Sequence, residues 1–328
     1  MTNLPSIPTT KLGSNGPTVG VQGLGCMGMS EFYGPTDHAE SLATLEHALD
    51  RGVTLIDTAD MYGLGHNEEL IGPVVRRRRK DVLLATKFGF VRRADDPMSF
   101  GIDNRPAHIR AAVEGSLRRL GVDVIDLYYM HRRTPEVPLA DSVGAMADLV
   151  KAGKVRYLGL SEVSADELRE AHAIHPITAL QSEWSLFARD LEAAVVPAAA
   201  ALGIAIVAFS PLGRGMLTGV DTTGGVGEAG DIRSFMPRFT GENGENNARL
   251  VARVRALAAA RGVTAAQLAL AWVHGRARVH AVTVVPIPGT RKRSRLDENL
   301  AAATLELTPA ELEALEPLAA AVLGHRGA

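Results

Sequence analysis

The sequence has a single cysteine, Cys26, among its 328 residues. One thiol cannot form an internal disulfide, so a disulfide-stabilised secreted fold is excluded and a reducing, cytoplasmic compartment is expected. The chain also lacks an excess of charge of one sign, because 35 basic and 37 acidic side chains leave a net charge of −2. A balanced chain of this kind has no overall attraction to nucleic acid or to an anionic membrane surface.

Long hydrophobic runs are absent as well. The longest covers residues 193–209, AAVVPAAAALGIAIVAF, and Pro197 and Gly203 interrupt it, so it is too short and too broken for a membrane span. The N-terminal stretch MTNLPSIPTTKLG has prolines where a signal peptide needs an apolar core. The basic run RRRRK at 76–80 lies at a predicted helix end, where cations are favourable. We therefore expect a soluble protein without a membrane or nucleic-acid partner.

The chain does contain a repeated alternation of short apolar runs and helical segments. The runs typical of buried strands are VQGLGCM, VTLIDTA, VLLATKF, VIDLYYM, VRYLGLS, ITALQSEW, IAIVAFS and VTVVPIP. Helices are predicted over 37–51, 67–75, 106–120, 138–152, 164–173, 190–202 and, as a pair, 245–275. Eight strand–helix units in one chain favour a (β/α)8 TIM barrel over a doubly wound sheet, with residues 1–328 as a single domain.

Three segments lie outside this repeat. Residues 11–19, KLGSNGPTV, contain Asn15 and Gly16 and predict an N-terminal β-hairpin cap. Residues 213–244 follow strand seven as a long Gly-rich loop, which is typical of a lid or a substrate loop. The stretch LTPAELEALEPLAAAV begins with Thr308 as a helix N-cap and predicts an added C-terminal helix.

Polar residues end three successive strands of the predicted barrel, at the end where such barrels carry their catalytic groups. Asp57 ends strand two and Tyr62 follows it, while Lys87 ends strand three and His131 ends strand four. A lysine after the apolar run VLLAT is costly unless it is paired, and Asp57 on the neighbouring strand is its expected partner. A lone Tyr or His at such a position is more often structural, and the Asp57–Lys87 pair is as often structural as functional, but the coincidence of all four favours a site.

The chemistry of these four residues is that of a proton donor directed at a carbonyl oxygen. A free tyrosine has a pKa of about 10, and a neighbouring ammonium lowers that pKa by stabilising the phenolate. We expect Lys87 to lower the pKa of Tyr62 in this way, and His131 to orient a substrate oxygen. Such a donor is what a hydride acceptor requires.

Two later segments suit a phosphate group, since barrels often bind phosphate after strands seven and eight. Strand seven ends in AFSPLGRG, whose glycines let backbone N–H groups approach a pyrophosphate. Strand eight ends in IPGTRKRSRLDEN, a helix start with free N–H groups. Arg291 and Arg295 are four residues apart and are predicted to share one helix face, where they would bind the 2′-phosphate of NADPH.

These motifs resemble the aldo-keto reductase family over almost the whole chain. The matching stretches are LIDTADMYG, LATKFG, LYYMHR, GKVRYLGLSE, LQSEWSLF, FSPLGRGMLTG and VPIPGTRKRSRLDENL. The resemblance implies a (β/α)8 barrel that reduces aldehydes and ketones with NADPH and without a metal. It implies a tetrad with Tyr62 as the general acid, and the subgroup is similar to pyridoxal reductases and potassium-channel β subunits.

The resemblance also implies a cofactor site. Ser161 and Gln181 match the residues that bind the nicotinamide carboxamide, and Trp184 is assigned as the stacking residue. Glu162 replaces an asparagine and Gly289 replaces a lysine that many members have. The implied cofactor residues are Gly25, Cys26, Met27, Asp57, Ser161, Gln181, Trp184, Ser210, Pro211, Leu212, Gly213, Arg214, Gly215, Ile287, Pro288, Gly289, Thr290, Arg291, Arg295, Glu298 and Asn299.

The stretch GLGCMG at 23–28 also fits a dinucleotide fingerprint, G-x-G-x-x-G, but we do not interpret it as one. A true fingerprint opens a helix at its last glycine, whereas here MSEFYGPTD follows and the predicted helix begins near Asp37. Gly25, Cys26 and Met27 are therefore predicted to end the first strand and to border the nicotinamide.

Alternatives to a reductase remain open on the sequence. One is a cofactor-occupied regulatory subunit that mainly binds a protein partner, as channel β subunits do. Another is a sugar-phosphate barrel enzyme without nicotinamide, which the tetrad disfavours. The substrate is expected to be a small carbonyl compound in a mostly apolar pocket, and a homo-oligomer is possible. The candidate wall residues are Phe32, Tyr33, Phe88, Trp184 and Phe235.

Overall fold

The computed structural model describes residues 6–93, 95–219 and 230–326. The strands are β1 (Thr9–Lys11), β2 (Thr18–Gly20), β3 (Leu24–Gly25), β4 (Leu55–Asp57), β5 (Leu83–Phe88), β6 (Phe90–Arg93), β7 (Asp96–Ile102), β8 (Ile125–Met130), β9 (Val155–Ser161), β10 (Ile177–Glu183), β11 (Ala205–Phe209) and β12 (Val284–Pro286). The α-helices are α1 (His38–Asp50), α2 (His66–Arg77), α3 (Pro106–Leu120), α4 (Leu139–Lys151), α5 (Ala165–Ile174), α6 (Val195–Leu202), α7 (Gly241–Arg261), α8 (Ala265–His280), α9 (Arg293–Leu300) and α10 (Pro309–Leu315).

Eight parallel strands form the central sheet, in the spatial order β12-β11-β10-β9-β8-β5-β4-β3. The two outermost strands also touch, because Gly25 forms a parallel bridge with Gly289 and the Gly23 N–H donates to the Pro286 carbonyl over 2.9 Å. The sheet therefore closes on itself, as barrel strands do. The predicted (β/α)8 TIM barrel is confirmed.

The pleat of the strands decides which side chains enter the barrel, since successive residues point to opposite faces. One buried cluster fills the interior, with Leu55, Ala85, Tyr129 and Val207 among its members. Their direct neighbours in sequence pack outward in the layer beneath the helices, and these include Ile56, Leu84, Tyr128 and Ala208. The same alternation decides whether a polar residue near the end of a strand points into the barrel or toward the surrounding helices.

The predicted N-terminal hairpin cap is present as β1 and β2, which pair antiparallel. Its turn lies against the start of the sheet, where the Ser14 N–H donates to the Gly203 carbonyl over 2.7 Å. Gly13 has a φ of +72°, and a Cβ there would lie 2.7 Å from the Thr178 carbonyl oxygen. The hairpin therefore covers the end of the barrel opposite to the strand ends that carry the site.

Several boundaries differ from the predicted ones. The helix predicted over 190–202 is a short 3-10 turn, Asp190–Ala193, followed by α6. Strands β6 and β7 form a second hairpin that the apolar pattern did not indicate. The long loop after β11 contains 3-10 turns, and α7 already begins at Gly241; residues 220–229 of the predicted loop lie outside the described residues.

The added C-terminal helix is present as α10, and it begins with a capping box. Thr308 Oγ1 accepts from the Glu311 N–H over 3.3 Å, and the Glu311 carboxylate accepts from the Thr308 N–H over 2.7 Å. Within the described ranges no single helix is long and apolar enough to cross a membrane, and only α7 and α8 taken together, bent by 92°, meet those two criteria. In the same ranges no group of three or more His, Cys, Asp or Glu side chains could hold a metal ion.

Candidate active site

The four polar residues at the strand ends meet at the mouth of the barrel. Lys87 Nζ donates to Asp57 Oδ1 over 2.5 Å, to the Thr58 carbonyl over 2.8 Å and to the Tyr62 hydroxyl over 3.2 Å. The predicted ion pair between Asp57 and Lys87 is thus present. His131 completes the group, because its ring meets the Tyr62 ring edge to face with centroids 5.8 Å apart.

Burial controls the protonation of these groups. Burial raises the pKa of the Tyr62 phenol above its ordinary value, and the opposing effect of the Lys87 ammonium is smaller. Lys87 does lower the pKa of Tyr62, as expected, but desolvation of the phenolate outweighs the attraction of the ammonium and the net pKa is raised. The phenol consequently keeps its proton at neutral pH.

Lys87 and His131 have defined charge states. Burial tends to lower the pKa of Lys87, but Asp57 and Tyr62 outweigh it and the pKa is raised, so Lys87 is an ammonium. Burial, Lys87 and Arg132 all depress the pKa of His131 well below its usual value, so its imidazole is neutral. Its Nδ1 has no hydrogen-bond partner among the described residues. The site therefore presents a protonated phenol beside a neutral imidazole.

The start of α2 holds the Tyr62 turn in place. Asn67 accepts from Thr58 Oγ1 over 2.6 Å and donates to the Cys26 carbonyl over 2.9 Å and to Ser30 Oγ over 2.8 Å. The fully buried Glu68 accepts from Thr86 Oγ1 over 2.6 Å, next to Lys87 in sequence. These contacts tie the ends of the first three barrel strands to one helix.

The hairpin of β6 and β7 adds a further anchor to that turn. Arg92 Nη1 donates to the Met61 carbonyl over 2.7 Å and to both carboxylate oxygens of Glu31 over 2.9 Å. Phe90 packs on His131 with ring centroids 4.8 Å apart. Sequence reasoning missed these groups because the segment has no regular apolar alternation.

Trp184 does not face the barrel mouth, so its assignment as the stacking residue is wrong. Its side chain is fully buried, its ring lies 5.6 Å from that of His280, and its indole N–H donates to Glu192 over 2.9 Å. The physical reason is that Trp184 lies beyond the last residue of β10, Glu183, and packs in the buried cluster beneath the helices that contains Trp272. Phe88, another candidate wall residue, likewise packs outward on Tyr128.

The aromatic residue at the mouth is instead Phe209, at the end of β11. It packs partly exposed against the interior cluster that contains Val207. Sequence reasoning could have found it, because Ala205, Val207 and Phe209 alternate toward one face of the strand. Gln181 lies across the barrel and donates from Nε2 to Asp57 Oδ2 over 2.7 Å.

Ser161 and Glu162 have contacts that the sequence did not indicate. Ser161 Oγ accepts from Arg132 Nη1 over 3.0 Å. Glu162 has a φ of +53°, and its carboxylate accepts from the Glu183 N–H over 2.8 Å and from Arg326 Nη2 over 2.7 Å. The Glu162 carboxylate is therefore held by the C-terminal segment.

The segment after β11 has an unusual backbone. Ser210, Gly213, Arg214 and Gly215 all have positive φ angles, of 47°, 57°, 55° and 92°. Backbone turned in this way can direct successive N–H groups to one side and form an anion-binding concavity. Arg214 Nε is buried without a hydrogen-bond partner among the described residues. Pro211 and Leu212 complete the segment and are buried.

The segment after β12 corrects the prediction for its two arginines. The helix α9 begins only at Arg293, so Arg291 precedes it and cannot share a helix face with Arg295. Arg291 instead donates to the carbonyls of Tyr33, Gly34 and Pro35 and to Thr36 Oγ1, at 2.6 to 3.2 Å. Lys292 at the N-cap makes no side-chain capping bond, and in the first turn of α9 the Arg293 N–H donates to Glu40 Oε1 over 3.5 Å.

The remaining candidate residues lie around these two segments. Ile287 is buried inside the barrel, and Gly289 meets Gly25. Arg295 lies 3.6 Å from Glu298 and is half exposed, whereas Asn299 is buried. Pro288 lies between β12 and α9 in sequence and is buried. Thr290 follows it, and its Oγ1 accepts from the Lys292 N–H over 3.2 Å.

Gly25, Cys26 and Met27, which were predicted to border the nicotinamide, lie in different surroundings. Gly25 ends β3, and Met27 packs near Tyr62. The Cys26 side chain is fully buried in the outer cluster that contains Leu24, so its thiol does not line the mouth. Burial raises the pKa of that thiol far above its ordinary value.

Comparisons with known proteins agree with this geometry. The model of the aldo/keto reductase family matches residues 23–320. A glycerol dehydrogenase from Gluconobacter oxydans is 28% identical with a TM-score of 0.83, over 98% of this chain and 97% of that one. A thermostable aldo-keto reductase solved with the inhibitor epalrestat is 29% identical with a TM-score of 0.74, over 95% and 100%. An aldo-keto reductase from Bacillus halodurans, 24% identical with a TM-score of 0.71 over 95% and 96%, shares the fold.

Proposed function

The chain belongs to the aldo/keto reductase family, and from this premise we propose that it is an NADPH-dependent reductase of aldehydes and ketones. The observation that carries the proposal is the contact of Tyr62 with Lys87 and His131 at the barrel mouth. An oxidoreductase acting on small carbonyl or alcohol substrates is the common activity of this family, and the tetrad supplies the matching acid.

The residues present fit a nicotinamide dinucleotide phosphate. The positive φ angles at Gly213, Arg214 and Gly215 give a backbone that can receive a pyrophosphate, and the unpartnered Arg214 Nε supplies a cation there. The start of α9 and the half-exposed Arg295 suit the 2′-phosphate. When bound, NADPH supplies the hydride that reduces the carbonyl carbon.

The barrel mouth would hold the other end of the cofactor. Ser161 and Gln181 offer hydrogen bonds to a carboxamide, and Phe209 rather than Trp184 offers the aromatic face. Adenine would lie beside Glu298 and Asn299 on α9. Arg291 would not bind the cofactor phosphate directly, because its guanidinium donates to the backbone of residues 33–36.

Tyr62, Lys87 and His131 carry out the proton transfer to the carbonyl oxygen. The raised pKa of Tyr62, caused by burial, keeps the phenol protonated until the carbonyl oxygen gains negative charge. Tyr62 Oη then gives its proton to that oxygen, and Lys87 stabilises the phenolate left behind. Neutral His131 donates a hydrogen bond to the substrate oxygen and orients it. The net result is an alcohol, and Tyr62 recovers its proton from water.

The test is the variant Tyr62→Phe, with Tyr128→Phe as the matched control. Tyr62→Phe should lower kcat on simple aldehydes by about 10²- to 10⁴-fold, the usual contribution of a general acid. Tyr128→Phe should leave kcat unchanged, because that hydroxyl has no hydrogen-bond partner among the described residues. Turnover is followed by NADPH absorbance, and cofactor binding by fluorescence titration. Undiminished turnover of Tyr62→Phe with retained NADPH binding would contradict the proposal.

A further inference from the structure

Arg132 is a charged side chain at the barrel mouth that the proton transfer above does not use. Its Nη1 donates to the His131 carbonyl over 2.6 Å and to Ser161 Oγ over 3.0 Å. Its Cζ lies 5.9 Å from the Phe90 ring centroid and 6.0 Å from that of Phe209. Two hydrogen bonds and two aromatic rings therefore fix the guanidinium next to the catalytic histidine.

This guanidinium has no carboxylate of its own. Both of its hydrogen bonds go to uncharged oxygens, and no described carboxylate forms an ion pair with it. Glu162 attracts it from a distance, but the Glu162 carboxylate is already bound by Arg326 and the Glu183 N–H. Burial lowers the pKa of Arg132, and the positive charges of Arg214 and Arg326 act in the same direction.

A desolvated cation without a counter-ion is costly, and such a group is normally paired in proteins. Arginine is also the side chain whose planar fork matches a carboxylate in a bidentate manner, and aromatic rings on its faces hold that fork in one plane. Both hydrogen bonds that Arg132 makes to described residues come from Nη1, which leaves Nε and Nη2 for a ligand. Among the described residues Arg132 has no carboxylate partner, so an anionic ligand in the mouth would supply its counter-ion.

We propose that Arg132 binds the carboxylate of the substrate, so that the preferred substrates are oxo acids, meaning aldehydes or ketones that also carry a carboxylate group. This inference rests on the proposed reductase function. The carbonyl carbon gains a hydride with its two electrons, its oxygen gains the Tyr62 proton, and the substrate carboxylate is unchanged. Arg132 thereby determines specificity and takes no part in the proton transfer.

The experiment compares matched substrates with and without a carboxylate. The pairs are succinic semialdehyde with butanal, and benzaldehyde with its para-carboxy derivative, each reduced with NADPH by the wild-type protein and by Arg132→Gln. Glutamine retains a donor for Ser161 but has no charge. We expect kcat/KM for the carboxylated aldehydes to fall about 10- to 100-fold, as for the loss of charged hydrogen bonds, and kcat/KM for the neutral aldehydes to change less than about threefold.

The matched control is Arg133→Gln, since the neighbouring Arg133 pairs with Glu167 over 3.1 Å and has a counter-ion. This variant should leave the substrate ratio unchanged. A second measurement uses butyrate as an unreactive carboxylate: it should inhibit butanal reduction competitively in the wild type and much less in Arg132→Gln.

The outcomes separate this inference from the proposed function. If Arg132→Gln lowered kcat/KM equally for both aldehydes of each pair, Arg132 would only position His131 and Ser161, and the inference would be overturned. A wild type that reduces neutral aldehydes without preference for carboxylated ones would also overturn it, while leaving the reductase function intact. A wild type that reduces no aldehyde with NADPH, although it binds NADPH, would overturn the proposed function first.

Discussion

Asp60 is a buried carboxyl group three residues after Asp57, and it takes no part in the tetrad. Its Oδ1 has no hydrogen-bond partner among the described residues. Burial, and then the negative charge of Glu68, raise the pKa of Asp60 to about 8. In the unfolded chain the same carboxyl ionises near pH 4. The folded protein therefore binds a proton at neutral pH that the unfolded chain has lost.

This difference predicts a loss of stability as the pH rises. Between pH 4 and pH 8 the folded state binds more protons at Asp60 than the unfolded state, so the free energy of unfolding falls with increasing pH. From pH 6 to pH 8 the decrease should be about 2 kcal/mol at Asp60. Urea unfolding at the two pH values measures it.

The matched variant for this prediction is Asp60→Asn, which cannot ionise. Its unfolding free energy should fall less than that of the wild type over the same pH interval, because only the other titrating groups remain. Equal pH dependence in the two proteins would show that Asp60 is already ionised in the folded state at pH 6.

At the scale of an element, α2 connects the strand ends that build the site. Asn67 in its first turn bonds Thr58, the Cys26 carbonyl and Ser30, while Glu68 bonds Thr86 and Arg119. The turn that carries Tyr62 precedes this helix and contains Gly63, Leu64 and Gly65 with positive φ angles. A backbone of this kind is held by its surroundings, so the helix start positions the phenol.

We predict that Asn67→Ala destabilises the protein and also lowers turnover. The substitution leaves the Thr58 hydroxyl buried without its partner and removes one of the two hydrogen bonds to the Cys26 carbonyl, which keeps the Met29 N–H. The cost in the free energy of unfolding should be about 2 kcal/mol. Because the Tyr62 turn loosens, kcat should fall even at temperatures where the variant is folded. Chemical unfolding and NADPH turnover give the two quantities.

The control for this element is Asn246→Ala, whose side chain donates to the Ala321 carbonyl over 2.8 Å on the exposed part of α7. It should change the free energy of unfolding by less than about 1 kcal/mol and leave kcat as it is. A wild-type kcat in folded Asn67→Ala would mean that α2 only stabilises the barrel.

At the scale of the whole molecule, binding of the proposed cofactor should stabilise the folded barrel. A ligand present at 100 times its Kd adds about 2.7 kcal/mol to the free energy of unfolding. NADPH should therefore raise Tm more than an equal concentration of NADH, because the start of α9 and Arg295 would bind the 2′-phosphate, which NADH lacks. Thermal unfolding with each cofactor measures the difference.

The variant Arg295→Leu should reduce the advantage of NADPH over NADH. Arg293→Leu is the control, since Arg293 is bound to Glu40 of α1 at 3.1 Å and is not expected to meet the phosphate. If Arg295→Leu kept the full difference in Tm between NADPH and NADH, the 2′-phosphate would not bind at this helix. Asp297, which ion-pairs with Arg51 and lies 3.0 Å from His47, keeps α9 in place in both variants.

The sequence by itself determined the barrel and the polar strand ends. Eight apolar runs separated by helices leave few arrangements other than a closed parallel sheet, since each strand must be buried on both faces. Parallel strands also bring their carboxyl ends to one rim, so Asp57, Lys87 and His131 had to lie near one another. Local signals such as Asn15-Gly16 and Thr308 were sufficient for the hairpin cap and the last helix.

Only the tertiary structure decided the orientation, the protonation state and the binding partner of each predicted site residue. Trp184 and Cys26 each follow the last residue of a strand and are fully buried beneath the helices. The alternation along β11 leaves Phe209 at the mouth, and a motif contains neither outcome. Burial, which depends on the whole fold, outweighed the lowering effect of Lys87 on the pKa of Tyr62. Arg291 binds the loop at 33–36 and not the phosphate helix, and Arg132 has no counter-ion among the residues that the structure describes, because contacts between loops arise only when the barrel closes.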